Sequence, residues 1–175
     1  EQRGPAGIAL VAVGGYGRGQ LYPHSDVDVL ILLPGPLDEA GAPVVERFIG
    51  LLWDIGIEIG HSVRTIADCE AEMVADITVK TSLLEHRLIG GSRALYAGFR
   101  QAFNAAMDVR SFYESKVLEQ QQRHLKYHDA AYNLEPNIKE SPGGLRDLQA
   151  VIWIARAADL GRSWLELARA GLMTA

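Results

Sequence analysis

Two carboxylates, Asp26 and Asp28, stand at the head of the apolar run Val27-Asp28-Val29-Leu30-Ile31-Leu32-Leu33. Residues i and i+2 of a strand project from the same face, which holds the two acids roughly 6–7 Å apart. At that spacing they repel, and the pair makes chemical sense with a cation between its members. Mg²⁺ suits it, because this ion prefers one or two carboxylates plus water and substrate phosphates to a cage made wholly of protein. Two acids fraying into solvent at a strand end would show the same spacing.

A glycine-rich turn lies just upstream. Gly14-Gly15-Tyr16-Gly17-Arg18-Gly19 follows the apolar run Ile8-Ala9-Leu10-Val11-Ala12-Val13, which reads as a buried strand. Gly14 and Gly15 can adopt positive φ and, without a Cβ, let backbone N–H groups approach an anion. Arg18 adds a fixed charge able to fork onto phosphate oxygens. The stretch reads as a phosphate cradle, against the plainer reading of an ordinary glycine-rich connection.

Other elements must position these groups. Residues 42–54 carry Val44, Val45, Phe48, Leu51 and Leu52 at helical spacing, with Trp53 expected in the core. The segment 55–65 alternates as a strand does. If Ile57 and Ile59 face inward, Glu58, Gly60, Ser62 and Arg64 share the other face. Arg64 can then meet a triphosphate or pair with an acid. Residues 66–91 read as helices with Ile77, Thr81, Leu84 and Leu88 on one stripe, ended by Gly90-Gly91, and with His86 at the surface. Ser92 and Asp108 are expected to cap two further helices, the second running to about Tyr127. This succession of helices places a boundary near residue 105.

The second informative stretch is 132–149. Ser141 and Pro142 predict a helix start, with Leu145, Leu148, Ile152 and Ala155 as its apolar stripe and a final helix over 163–170. Gly143-Gly144 at that N-terminus offers an anion site, with Lys139 and Arg146 close by in sequence. His124, His128 and Asp129 have a spacing seen in metal sites, but two histidines on a helix face account for it better.

Composition sets limits. The 175 residues are 48% hydrophobic and suit one compact α/β domain, or one domain with part of another. There is no apolar run of membrane-spanning length and no secretory leader at Glu1, so no membrane association is expected and the cytoplasm is the expected compartment. The lone Cys69 fits a reducing environment. The 17 basic against 22 acidic residues leave a net charge of −5 without a basic block, which argues against a nucleic-acid partner.

A Gly-Gly turn followed after a short spacer by Asp-x-Asp on a strand resembles the signature of the nucleotidyltransferase superfamily that includes DNA polymerase beta. The longer string from Gly14 to Leu32 is similar, more narrowly, to the bacterial P-II uridylyltransferases. So are residues 56–64 and Pro136-Asn137-Ile138-Lys139-Glu140-Ser141-Pro142-Gly143-Gly144-Leu145-Arg146-Asp147-Leu148-Gln149. The resemblance implies an α/β (α+β) nucleotidyltransferase domain with a mixed sheet over 1–105 and an α-helical extension over 106–175. It implies Mg²⁺-dependent transfer of UMP from UTP to a tyrosine of the P-II signal protein, with release of pyrophosphate. The expected site comprises Asp26 and Asp28 as metal and catalytic residues, with Gly14, Gly15, Arg18, Ser25, Arg64, Lys139 and Arg146 holding nucleotide. The superfamily generally has a third carboxylate, for which Glu58 is preferred over Asp76 and Glu85. Rival readings are adenylyl transfer to P-II or to glutamine synthetase, a nucleotide-binding sensor without turnover, and a small-molecule transferase of the aminoglycoside type.

Overall fold

In a computed structural model of the chain, residues 7–22, 25–39, 41–57, 59–127 and 137–174 are described. The chain divides into two compact units, Glu1–Ala106 and Met107–Ala175.

The first unit is built on a sheet of order β3-β2-β1-β4 among the described residues. Strand β1 (Ala9–Ala12) pairs antiparallel with β2 (Val27–Leu33) on one side and with β4 (Arg87–Gly91) on the other, while β3 (Ile59–Thr65) runs parallel to β2. The sheet is therefore mixed. Between β1 and β2 lies a single helical turn, α1 (Gly14–Gly17), and between β2 and β3 the helix α2 (Gly41–Asp54). After β3 come α3 (Ile66–Ala75) and α4 (Ile77–Leu84), then β4 and α5 (Arg93–Ala106).

Strand alternation divides the core between the two faces of the sheet. Ile31 and Leu33 pack against Val45 and Ile49 of α2, with Leu10, Ile59 and Val63 beside them. Leu30 and Leu32, fully buried, point to the opposite face, the face that carries Asp28. Thr65 starts α3 with a reciprocal cap. Its hydroxyl accepts the Asp68 N–H, and the Asp68 carboxylate accepts the Thr65 N–H at 2.9 Å.

Several local expectations are corrected. Residues 87–91 are a strand, not the end of a helix: α4 stops at Glu85, and the segment pairs with β1 instead. Gly91, at φ +90°, passes so close to the Ile8 carbonyl that a Cβ would overlap it, so this glycine serves strand packing. Trp53 is not core but 56% exposed; the buried residues of α2 are Val45 and Ile49. His86 is not a surface residue. Its Nδ1 lies 2.8 Å from the Tyr96 hydroxyl, and its ring is set edge-on to Phe99 and Phe103.

The second unit holds α6 (Val109–Lys126), α7 (Leu145–Ala157) and α8 (Trp164–Arg169), with Ile152, Ala155 and Leu167 in its core. Asp108 and Ser163 cap α6 and α8 through their side chains. Helix α7 begins three residues later than the Ser141-Pro142 signal predicts. The buried Ser141 hydroxyl accepts the Asn137 N–H at 3.1 Å, and Gly143 at φ +78° turns the chain before Gly144 caps the helix.

Candidate active site

Asp28 is the second residue of β2, and its strand partner is Gly60 on β3. A Cβ on Gly60 would overlap the Asp28 Oδ1, and one on Gly14 would come within 3.3 Å of the Asp28 Oδ2. The carboxylate is thus seated between two glycines, one on β3 and one at the start of α1. Ser82 of α4 joins them, its Oγ 3.5 Å from where a Gly14 Cβ would stand. Burial pushes the Asp28 carboxyl above its ordinary value, and the Asp26 charge pushes it further. Neither acid has a cationic side chain paired with it among the described residues. Two mutually repelling carboxylates without a counter-charge, one of them in a seat kept clear by glycines, fit a divalent cation bound also by water and phosphate.

The glycine turn faces this pair. Val13 N–H donates to the Asp28 carbonyl at 3.1 Å, which ties the turn to β2, and Gly14 takes φ +56°. The first hydrogen bond of α1 is Gly17 N–H to the Val13 carbonyl. The N–H groups of Gly14, Gly15 and Tyr16 precede it and are the donors that a helix start leaves over.

The turn is fastened from the far side by the α4–β4 segment. Gly17 lies so close to the Glu85 carbonyl that a Cβ would overlap it. The Arg18 guanidinium donates to the buried Glu85 carboxylate, and its Nε donates to Gln20 at 2.8 Å. Arg87 of β4 donates to the Tyr16 carbonyl at 2.9 Å and lies over the Tyr16 ring. Arg18 is therefore engaged as a brace. Its partner is 67 positions away, and neither that ion pair nor Ser82 leaves any local signal in the sequence.

The remaining candidates divide. Ser25 is exposed and closes a turn with Tyr22, its hydroxyl accepting the Tyr22 N–H at 3.0 Å. Glu58 lies outside the described residues, as do His128 and Asp129, and its neighbours Ile57 and Ile59 line a groove with Asp26. Its two competitors have other work. Asp76 caps α4 through the Thr78 N–H and hydroxyl, which hold its carboxyl below the ordinary range, and Glu85 is taken by Arg18. Arg64 shares the Gly60 face of β3 but sits four residues further on, about 13 Å along a strand, with Glu72 3.8 Å away.

In the second unit the supposed anion site has no free donors, which corrects the expectation drawn from Gly143-Gly144. The N–H of Gly143 donates to the Asp147 carboxylate at 2.7 Å, that of Gly144 to the Ser141 carbonyl, that of Leu145 to Ile138 and that of Arg146 to Lys139. Asp147 also accepts from Gln120, Arg123 and His124. Burial pushes its carboxyl up, but the bonds from Gln120, Gly143 and His124 more than offset this and leave it below the ordinary range. Arg146 pairs with Glu140 at 3.2 Å and lies over the Trp153 ring, which it shares with the buried Lys116. Lys139 is exposed.

The family described as "Nucleotidyltransferase domain" matches residues 1–89, and that described as "GlnD PII-uridylyltransferase" matches residues 111–175. Proteins named bifunctional uridylyltransferase/uridylyl-removing enzyme from Cupriavidus metallidurans and Bordetella avium are 59% and 58% identical over 97% and 98% of this chain. The chain spans 20% of the length of each of these relatives. A crystal structure of a toxin–antitoxin with AMP-PNP aligns with 73% of this chain and 90% of its own, at 14% identity and a TM-score of 0.37. By the match over its first 89 residues, the chain belongs to the nucleotidyltransferase domain family.

Proposed function

We propose that the chain transfers UMP from UTP to a tyrosine hydroxyl of the P-II signal protein and releases pyrophosphate. The observation that carries this reading is the seating of Asp28 between Gly14 and Gly60, with the start of α1 on one side of it and Asp26 two residues away. The names of relatives at 58–59% identity support the choice of nucleotide and acceptor.

Asp26 and Asp28 would hold Mg²⁺, which when bound supplies charge neutralisation on the triphosphate. The N–H groups at Gly14 and Gly15 would donate to phosphate oxygens, and the nearby Ser82 hydroxyl would add a donor. Arg18 and Arg87 keep that turn in place through Glu85 and Tyr16. Glu58 is the candidate to take the proton from the tyrosine oxygen as it attacks. Phosphoryl-type transfer leaves a protein little covalent work, so positioning of this kind accounts for most of the expected acceleration. The negative chain and the absence of a basic block favour a single nucleotide and a protein acceptor over a polynucleotide. Cytoplasmic location belongs to the same reading; among the described residues, no helix is long and apolar enough to cross a membrane.

The test is a transfer assay with P-II, Mg²⁺ and each nucleoside triphosphate labelled on its α-phosphate. Label appearing on P-II from UTP supports the proposal. Label from ATP alone, or on no protein, contradicts it.

A further inference from the structure

Two neighbouring hydroxyls near the end of α4 are used differently. Thr81 is buried, and its Oγ1 donates to the Ile77 carbonyl one turn back at 2.7 Å, the usual fate of a hydroxyl inside a helix. The half-buried Ser82 has no hydrogen-bond partner for its hydroxyl among the described residues. It borders the gap at Gly14 instead. The atoms nearest to the place that a Gly14 side chain would take are the Asp28 Oδ2 at 3.3 Å and the Ser82 Oγ at 3.5 Å. Glycine at this position thus leaves a space with a carboxylate oxygen on one side and an unspent hydroxyl on the other.

Ser82 is fixed in place from behind. Helix α4 packs on α1. One turn beyond Ser82, Glu85 closes α4: its N–H donates to the Ser82 carbonyl at 3.2 Å, its carboxylate takes the Arg18 guanidinium, and its carbonyl fills the place of a Gly17 Cβ. Residues three apart in a helix share a face, so the clamp that holds Glu85 against the α1 turn also holds Ser82 beside its start. A hydroxyl both donates and accepts, and a water is the ordinary bridge between polar groups that do not touch directly. Groups that hydrogen-bond a metal-ligating carboxylate fix its orientation, and losing one costs about 10–100-fold in metal affinity or activity.

We propose that Ser82 is a positioning residue for Asp28: through one water in the gap that Gly14 leaves, its hydroxyl holds the carboxylate in the orientation that binds the cation. This rests on the reading of Asp26 and Asp28 as the Mg²⁺ ligands, and adds α4 as the element that fixes one of them.

The experiment titrates Mn²⁺, as a paramagnetic substitute for Mg²⁺, into the unaltered chain, Ser82→Ala, Ser82→Val, Ser82→Thr and the control Asp28→Asn. Electron paramagnetic resonance of the free ion gives the dissociation constant; UTP affinity in the presence of a chelator and melting curves are measured alongside. Alanine suits a helix interior, and valine and threonine differ by a methyl in place of the hydroxyl. The expected result is a Kd for Mn²⁺ raised about tenfold or more in Ser82→Ala and Ser82→Val and close to the parent in Ser82→Thr. Melting of Ser82→Ala and chelator-insensitive UTP affinity should match the parent. Parent-like Mn²⁺ binding in both Ser82→Ala and Ser82→Val overturns the inference while leaving the proposed function intact. So does a loss that Ser82→Thr shares with Ser82→Val, which makes side-chain size the cause. Weaker UTP binding with Mn²⁺ binding unchanged also overturns it, by giving the hydroxyl to the phosphates alone. An unaltered chain that binds Mn²⁺ no better than Asp28→Asn fells the cation assignment in the proposed function, and the inference with it.

Discussion

Asp28 and Gly60 are register partners on β2 and β3, and the Asp28 Oδ1 occupies the space that a side chain at Gly60 would need. The obstructing atom is the end of a rotatable carboxylate, so Gly60→Ala turns Asp28 aside rather than breaking the sheet. Melting should shift little. The rate should fall by on the order of 10²-fold, as small misplacements of a catalytic group do. Turnover and thermal melting measured on the same sample separate this from a stability effect.

The seat of Asp28 makes stability depend on pH. An acid whose pKa is raised on folding holds its proton more tightly in the folded state. It therefore costs no stability below its unfolded value, takes stability away as pH rises through its folded value, and imposes the full penalty above. Burial first and Asp26 second give Asp28 this sign, from an ordinary value of 3.8. Asp28→Asn should melt higher than the parent at pH 7, and the gap should close as the pH falls below the ordinary carboxylate value. Mg²⁺ with UTP should raise the melting temperature of the parent and not of the variant. A variant melting below the parent at pH 7 contradicts this.

Arg18 and Glu85 are expected to behave as a structural pair. Glu85 is buried, and Arg18→Met would strand its charge, at a cost of about 3 kcal/mol, the lower end for a broken buried pair. Removing both charges in Arg18→Met/Glu85→Leu should recover most of that loss. Urea denaturation of the two variants makes the comparison. If Arg18→Met instead unfolds like the parent and binds UTP poorly, the guanidinium belongs to the nucleotide.

Asp147 is expected to hold the second unit together. Its lowered carboxyl contributes stability that is present above its unfolded pKa and is lost as pH falls through the folded one, below the ordinary carboxylate range. Asp147→Asn should cost about 1–3 kcal/mol at pH 7, and progressively less as the pH falls below the ordinary carboxylate range. Arg146→Ala removes a half-exposed partner of Glu140 and should cost only about 0.5–1 kcal/mol, with UTP affinity unchanged. Chemical denaturation across pH and a UTP titration check both.

What the sequence makes legible is local. The β-branched run after Asp26, the Asp108 cap, and the alternation that puts Gly60 on the Asp28 face each follow from neighbours in the chain. What it hides is tertiary. Leu88-Ile89-Gly90-Gly91 is too short and too rich in glycine to announce a strand, and becomes one because β1 offers an edge. Trp53 lies in an apolar helix and is still exposed, because the core buries Val45 and Ile49 of that helix and not its C-terminal end. The Gly143-Gly144 turn reads as an anion site until the Asp147 carboxylate, four residues on, is seen to fill it.

The most direct test of the account is Mg²⁺-dependent pyrophosphate release from UTP in the presence of P-II, measured for the unaltered chain, Asp26→Asn and Asp28→Asn alongside their melting curves. The account predicts release by the unaltered chain that stops when Mg²⁺ is chelated, and none above background in either variant although both fold. Release by both variants within a few-fold of the parent would contradict the claim that these two carboxylates are the centre of the site.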